Sequence, residues 1–123
     1  MSTLKVNNIT DTSGGSSNLE VPGAAKAWVN FVGTGTVSIR DNLNVSSITD
    51  NGTGDYTVNW NNDFANNDYS AVASAGGTSG IPMVKIARSD EDFAVGSIRM
   101  ETLNAANNSK FDNGLVCVAA FGD

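Results

Sequence analysis

Asp50, Asp55, Asp63 and Asp68 are the carboxylates whose spacing invites a chemical reading, as acids, bases or ligands for a cation. All four fall in turn-like stretches, where a short acidic side chain bonds nearby backbone amides. The chain has no histidine, so the usual general base near neutral pH is missing. A glycosidase would need two carboxyls facing a sugar across a fixed gap, and nothing in the sequence fixes such a pair. Neither Asp50 to Asp55 nor Asp63 to Asp68 follows the alternating acidic loop ending in glycine that holds calcium. Gly33-Thr34-Gly35 and Gly76-Gly77 precede no helix-forming stretch and read as turns rather than phosphate cradles. The lone Cys117 lies in the apolar run Leu115 to Phe121 and reads as a small hydrophobe of a buried strand. No catalytic residue, cofactor or metal is expected. Of the aromatic residues, Tyr56 and Trp60 alternate with Thr57 and Asn59 and point to core packing. Phe64, between asparagines and aspartates, is the better candidate for an exposed contact.

The elements that hold these residues are strands. Val45 to Trp60 reads as a β-hairpin: Tyr56, Val58 and Trp60 share one face of the second arm, and Asp50-Asn51-Gly52-Thr53-Gly54-Asp55 supplies the turn. Lys26 to Val32 and Thr36 to Arg40, joined by Gly33-Thr34-Gly35, form a second hairpin. Asp41 to Asn44 reads as the turn between the two hairpins. Further strands are expected at residues 69–75, 83–87, 97–101 and 115–121, with turns at 76–80, 89–92 and 104–109. Only the stretches around Asp90 to Ala94 and Leu103 to Ala105 offer a single helical turn. Short strands at this spacing predict an all-β chain, an antiparallel β-sandwich of jelly-roll-like kind, with a barrel as the lesser option. The composition agrees: asparagine, serine, threonine and glycine abound, glutamine is absent, and leucine and glutamate are few.

The 123 residues suit one core, expected over residues 26–123. Residues 1–25 read as an amino-terminal arm and linker, since Asp11 to Asn18 carries too little apolar surface to fold alone. Leu4, Val6 and Ile9 are the arm's apolar residues and its candidate docking contacts. Val6-Asn7-Asn8-Ile9-Thr10-Asp11 echoes Val45-Ser46-Ser47-Ile48-Thr49-Asp50, but two copies make similar turns rather than a repeat architecture. The formal charge of −6 and seven dispersed basic residues argue against nucleic acid as a partner. The start of the chain lacks a signal-peptide core and no run matches a membrane span, so synthesis in a cytoplasm without membrane insertion is expected.

Lys26-Ala27-Trp28-Val29-Asn30-Phe31, Gly33 to Asp41 and Asn44 to Trp60 together resemble a domain recurring in bacteriophage tail-fibre proteins. The opening Ser2 to Ile9 with Asp11 to Gly15, and the ending Val118 to Asp123, are similar to the ends of short phage fibre proteins. Residues 76–114 carry no part of the likeness. The resemblance implies a non-enzymatic virion component, usually a homotrimer, whose amino-terminal arm docks on other virion proteins of the tail, baseplate or capsid. It implies a globular end that meets a glycan or protein of the host surface, and it transfers no catalytic residue. Fibre proteins commonly have a long shaft between arm and tip, whereas here only Gly14 to Ala25 intervenes. A trimeric knob that cements or decorates the capsid is the alternative, and a carbohydrate-processing enzyme is the reading from another class. The loops at 76–82 and 89–92 are the expected host contacts, through Thr78, Ser79, Ile81, Asp90 and Asp92 together with Phe64.

Overall fold

A computed structural model describes residues 1–3, 5 and 23–122. Leu4, Val6 and Ile9 lie outside the described residues, so the expected docking contacts receive no structural account.

The described residues form ten strands and one short 3₁₀ turn. The first half of the chain gives β1 (Ala27–Val32), β2 (Ser38–Leu43), β3 (Val45–Gly52) and β4 (Asp55–Trp60). β5 (Ser70–Gly76) and β6 (Pro82–Ile86) follow, then the 3₁₀ turn at Asp90–Asp92 and the short β7 (Phe93–Ala94). β8 (Ser97–Asn104), β9 (Ser109–Lys110) and β10 (Leu115–Phe121) complete the order. The fold is an all-β sandwich of two antiparallel sheets, as the strand spacing predicts. One sheet runs β2-β1-β10-β5 and the other β3-β4-β8-β6, with β7 and β9 as short additions on β8. β5 with β10 in one sheet and β6 with β8 in the other give the nested pairing of a rolled hairpin, because β5–β6 lies antiparallel to β8–β10 across both layers.

Alternation in the sequence becomes layering. Val29 and Phe31 from β1, Tyr56, Val58 and Trp60 from β4, Ile98 and Met100 from β8, and Val116 and Val118 from β10 fill the space between the sheets. Burying each large side chain of this kind contributes roughly 1.5–3 kcal/mol. Phe31 and Tyr56 meet edge to face across the two layers, with ring centroids 5.3 Å apart. Their contact locks the two hairpins to each other in one register, and a one-residue slip of either strand would turn its apolar set outward.

Two boundaries differ from the expected ones. Asp41 to Leu43 continues β2 instead of turning, and the passage from one sheet to the other is made at Asn44 alone, whose φ of 57° lies in the left-handed region that asparagine tolerates. A bulge between Asn30 and Phe31 absorbs the extra length of β2. β8 runs on through Thr102 to Asn104 because β6 and β9 pair with that extension on either side.

The topology sorts the loops onto two ends. Gly33 to Val37, the β3–β4 turn, Gly77 to Ile81 and Ala105 to Gly114 crowd one end. Asn61 to Asp68, Ala87 to Asp92 and the β7–β8 turn crowd the other. The chain joins the sandwich at this second end, where the Lys26 N–H bonds the Ala120 carbonyl at 2.9 Å.

Candidate functional site

The end remote from Lys26 is a braced platform of loops, and Tyr56 is its anchor. Its ring is fully buried, and its hydroxyl lies 2.8 Å from the Gly33 carbonyl and 2.8 Å from Oδ1 of Asp112. Burial raises the Tyr56 phenol above its ordinary range, and the Asp112 carboxylate adds to the effect. That carboxylate also accepts the Gly54 N–H at 2.8 Å, so Asp112 joins the loop before β10 to the β3–β4 turn. Thr102 donates its hydroxyl to the Phe111 carbonyl at 2.7 Å, and the Gly33 N–H bonds the Asn113 carbonyl at 2.9 Å. Gly54 is required here. Its φ is +60°, and a Cβ on it would stand 2.5 Å from the Thr102 carbonyl oxygen.

Thr78, Ser79 and Ile81 belong to this platform and are exposed, Ile81 at 61%. The Gly114 N–H bonds the Thr78 hydroxyl oxygen at 3.1 Å, and the Ala105 N–H bonds the Ile81 carbonyl at 2.8 Å. The loop's backbone is therefore held by its neighbours while its side chains stay open to solvent.

Asp90 and Asp92 sit at the opposite end, beyond the far terminus of β6. One surface cannot use both sets of loops. Asp92 is also occupied, since its Oδ2 accepts the Arg88 N–H at 2.8 Å and the Arg88 guanidinium at 3.3 Å. These bonds hold its carboxyl below the usual range against the opposing effect of burial.

Phe64 is not an exposed contact. It is 4% exposed, stacked on Tyr69 at 4.3 Å and edge-on to Trp60 at 5.6 Å. The Phe64 N–H bonds the Val95 carbonyl, which pulls the polar loop inward and seats the ring as a plug at the bottom of the core. Polar neighbours in sequence mark the loop as exposed, but one aromatic side chain per loop is enough to close the end of a sandwich.

The outer face of the six-stranded sheet carries a charge cluster. Asp55 and Glu101 stand opposite each other on β4 and β8, both buried. Arg99 grips Asp55 with two bonds, Nε to Oδ1 at 2.8 Å and Nη2 to Oδ2 at 2.9 Å. Lys110 bonds Oε1 of Glu101 at 2.7 Å and reaches Oδ2 of Asp55 at 3.4 Å, and Arg88 approaches Glu101 at 3.9 Å. The Arg99 guanidinium, aided by Lys110 and opposed by burial, holds the Asp55 carboxyl down at about 2. Two carboxylates side by side have the outline of an acid–base pair, but a group held this low is ionised throughout the neutral range and is a poor proton donor. Asn51 donates to the Thr57 hydroxyl at 2.8 Å and Asn59 to the Thr49 hydroxyl at 2.9 Å, which extends a polar, cross-bonded surface along β3 and β4.

Asp50 and Asp63 stand at opposite ends of the sandwich. Asp50 accepts the Gly52 N–H at 3.0 Å, the turn bond expected of it. Among the described residues no three acidic or cysteine side chains are grouped to hold a metal ion. No helix of the described residues is long and apolar enough to cross a membrane. Comparison with protein-family models, with curated proteins and with solved structures finds no match in any of the three.

Proposed function

We propose that the protein is a non-enzymatic component of a phage particle: a short trimeric tail fibre that docks through its amino-terminal arm and presents the sandwich to the host surface. One observation carries the reading. The chain joins the sandwich beside Ala120, while the braced platform bearing Thr78, Ser79 and Ile81 lies at the other end, so an arm held at one end leaves the platform pointing away. Loops fixed by a rigid scaffold are where binding residues concentrate. The ion pairs of Asp55 with Arg99 and of Glu101 with Lys110 support a role as a brace on the outer sheet rather than in turnover.

Host contact then belongs to Thr78, Ser79 and Ile81, and not to Asp90 and Asp92, which share the docking end. The test is antibody labelling of intact particles combined with adsorption assays of the purified protein. Label at the tail, with adsorption lost in an Ile81→Asp variant that still folds, is the expected result. Label over the whole head reassigns the protein to capsid decoration. Failure to find it on washed particles ends the virion reading, and turnover of host polysaccharide by the purified protein ends the non-enzymatic one.

A further inference from the structure

We propose that the open edge of β5 pairs with β5 of a second copy of this chain, antiparallel and about a two-fold axis. The sheets end on four strands, β2 and β5 in one and β3 and β6 in the other. An edge strand presents a row of backbone N–H and C=O groups that recognises another extended strand, and folds blunt such edges with charge, proline or bulges. Three of the four edges are blunted. β2 carries Arg40 and Asp41, a bulge against β1, and an Asn42 N–H already bonded to Oδ1 of Asp41 at 2.9 Å. β3 shifts register twice against β4 and bonds its Gly52 N–H to Oδ1 of Asp50. β6 has five residues, opens on Pro82 and exposes Lys85. β5 has none of these devices: Ser70–Gly76 holds no charge and no proline, and all seven residues pair with β10 in unbroken register. Among the described residues no group outside β10 bonds the β5 backbone, so the alternate N–H and C=O groups that face away from β10 are open.

The order of residues selects a second copy as the strand that adds. Ser70-Ala71-Val72-Ala73-Ser74 reads the same in both directions. A two-fold contact needs a surface that complements itself, and a strand of this order does so when Val72 meets Val72. Ser70 then stands opposite Ser74, and Ala71 opposite Ala73. Val72, 58% exposed, is covered by its twin, and each serine gains a hydroxyl partner across the strands. The formal charge of −6 opposes association in general, but the paired residues themselves carry no charge. Asp68, the acidic residue that precedes β5 in the chain, falls opposite Gly76 of the other copy. The two copies' Asp68 are thereby set roughly 27 Å apart by the rise of a strand. That separation exceeds the screening length of about 8 Å at physiological salt. The contact is separate from the trimeric reading, and an assembly that contains it holds an even number of copies.

Sedimentation velocity of the full chain over a range of concentrations tests the inference, with Val72→Lys as the edge variant and Met83→Lys, on the blunted β6 edge, as comparator. Lysine lowers the net negative charge, so a loss of association cannot come from added overall repulsion. Far-ultraviolet circular dichroism and unfolding midpoints check that each variant folds. The expected result is an even-numbered assembly for the wild type and for Met83→Lys, with association weakened at least about tenfold in Val72→Lys, where two like charges meet directly across the axis. Disulfide trapping reads the register independently. Ser70→Cys and Ser74→Cys are each made with Cys117→Ser, because Cys117 lies opposite Ser74 within one copy. When the two proteins are mixed under mild oxidation, the 70-to-74 cross-link is expected to dominate over 70-to-70 and 74-to-74, whose positions lie about 14 Å apart along the strand. Equal yields of the three cross-links, or association unchanged in a folded Val72→Lys, overturn the inference. A wild type that is only a trimer at every concentration overturns it and leaves the trimeric reading standing, and a strictly monomeric wild type overturns both.

Discussion

The hydroxyl of Tyr56 stands 2.8 Å from Oδ1 of Asp112, across 56 residues of chain, and that same oxygen accepts the Gly54 N–H. One carboxylate thus ties a core strand, a hairpin turn and the loop before the last strand into a single unit. Two residues further on, the Gly114 N–H bonds the Thr78 hydroxyl oxygen and so reaches the loop proposed to meet the host.

Replacing Tyr56 by phenylalanine keeps the ring against Phe31 and removes only the hydroxyl. The expected cost is about 1–3 kcal/mol, the range for breaking a buried bond to a charged group. Urea unfolding at neutral pH measures it, with the denaturant slope unchanged if the folded state stays compact. Amide exchange should quicken at Gly54, whose acceptor is then less well held. A loss below about 0.5 kcal/mol would mean that the bond to Asp112 is not what braces the platform.

Acid stability should report the Asp55 cluster. The Asp55 carboxyl is held at about 2 in the fold, below its ordinary value of 3.8. A depressed acid stabilises the folded state above the unfolded value, and that contribution is lost as pH falls toward the folded one. The shift corresponds to about 2 kcal/mol. Stability is therefore expected to be level above about pH 5 and to fall by about that amount down to pH 2. Asp55→Asn lowers stability at neutral pH and flattens this part of the profile. An unchanged pH slope in the variant would assign acid sensitivity to other carboxylates.

Much of the fold is legible in the sequence because its strands are locally consistent. Tyr56, Val58 and Trp60 alternate so cleanly with Thr57 and Asn59 that both the strand and its buried face follow from the residues alone. What the sequence hides is lateral. Asp55, Arg99 and Lys110 lie 44 and 55 positions apart, and they meet only because β4, β8 and β9 stand in a particular register. Basic residues that look dispersed along the chain are in fact gathered, with Lys85, Arg99 and Lys110 on one sheet face. The two candidate loop sets look equivalent in sequence, yet a strand of five residues separates them to opposite ends. For Phe64 the local signal pointed the wrong way, since its polar neighbours say nothing about a ring that turns inward to cover Trp60.

Glycine at position 54 is a further point where the platform is exposed to a single change. Gly54→Ala combines a φ of +60° with a Cβ 2.5 Å from the Thr102 carbonyl oxygen, which is backbone and cannot swing aside. Gly35 has a similar φ of +63° with nothing within 4 Å, so Gly35→Ala isolates the conformational cost. The expected losses are about 1 kcal/mol for Gly35→Ala and about 3 kcal/mol or more for Gly54→Ala. Thermal unfolding of the pair measures the difference, and equal losses would show that the close approach to Thr102 carries no energy of its own.

Phe64 and Ile81 separate what holds the domain together from what it offers to a partner. Phe64→Ala empties a site enclosed by Trp60 and Tyr69 and is expected to cost about 3–5 kcal/mol, with a change in Trp60 fluorescence. Ile81→Ser alters a side chain that is 61% exposed and is expected to change stability by less than about 0.5 kcal/mol. The two should then part company in adsorption to host cells. Loss in Phe64→Ala should follow the fraction of protein unfolded and recover on cooling, because the residue reaches the host only through the fold. Loss in Ile81→Ser should appear in fully folded protein at every temperature. If instead a folded Ile81→Ser adsorbs as the wild type does, together with folded variants of Thr78 and Ser79, the loop at 77–81 is not the contact surface, and the braced end serves only to close the sandwich.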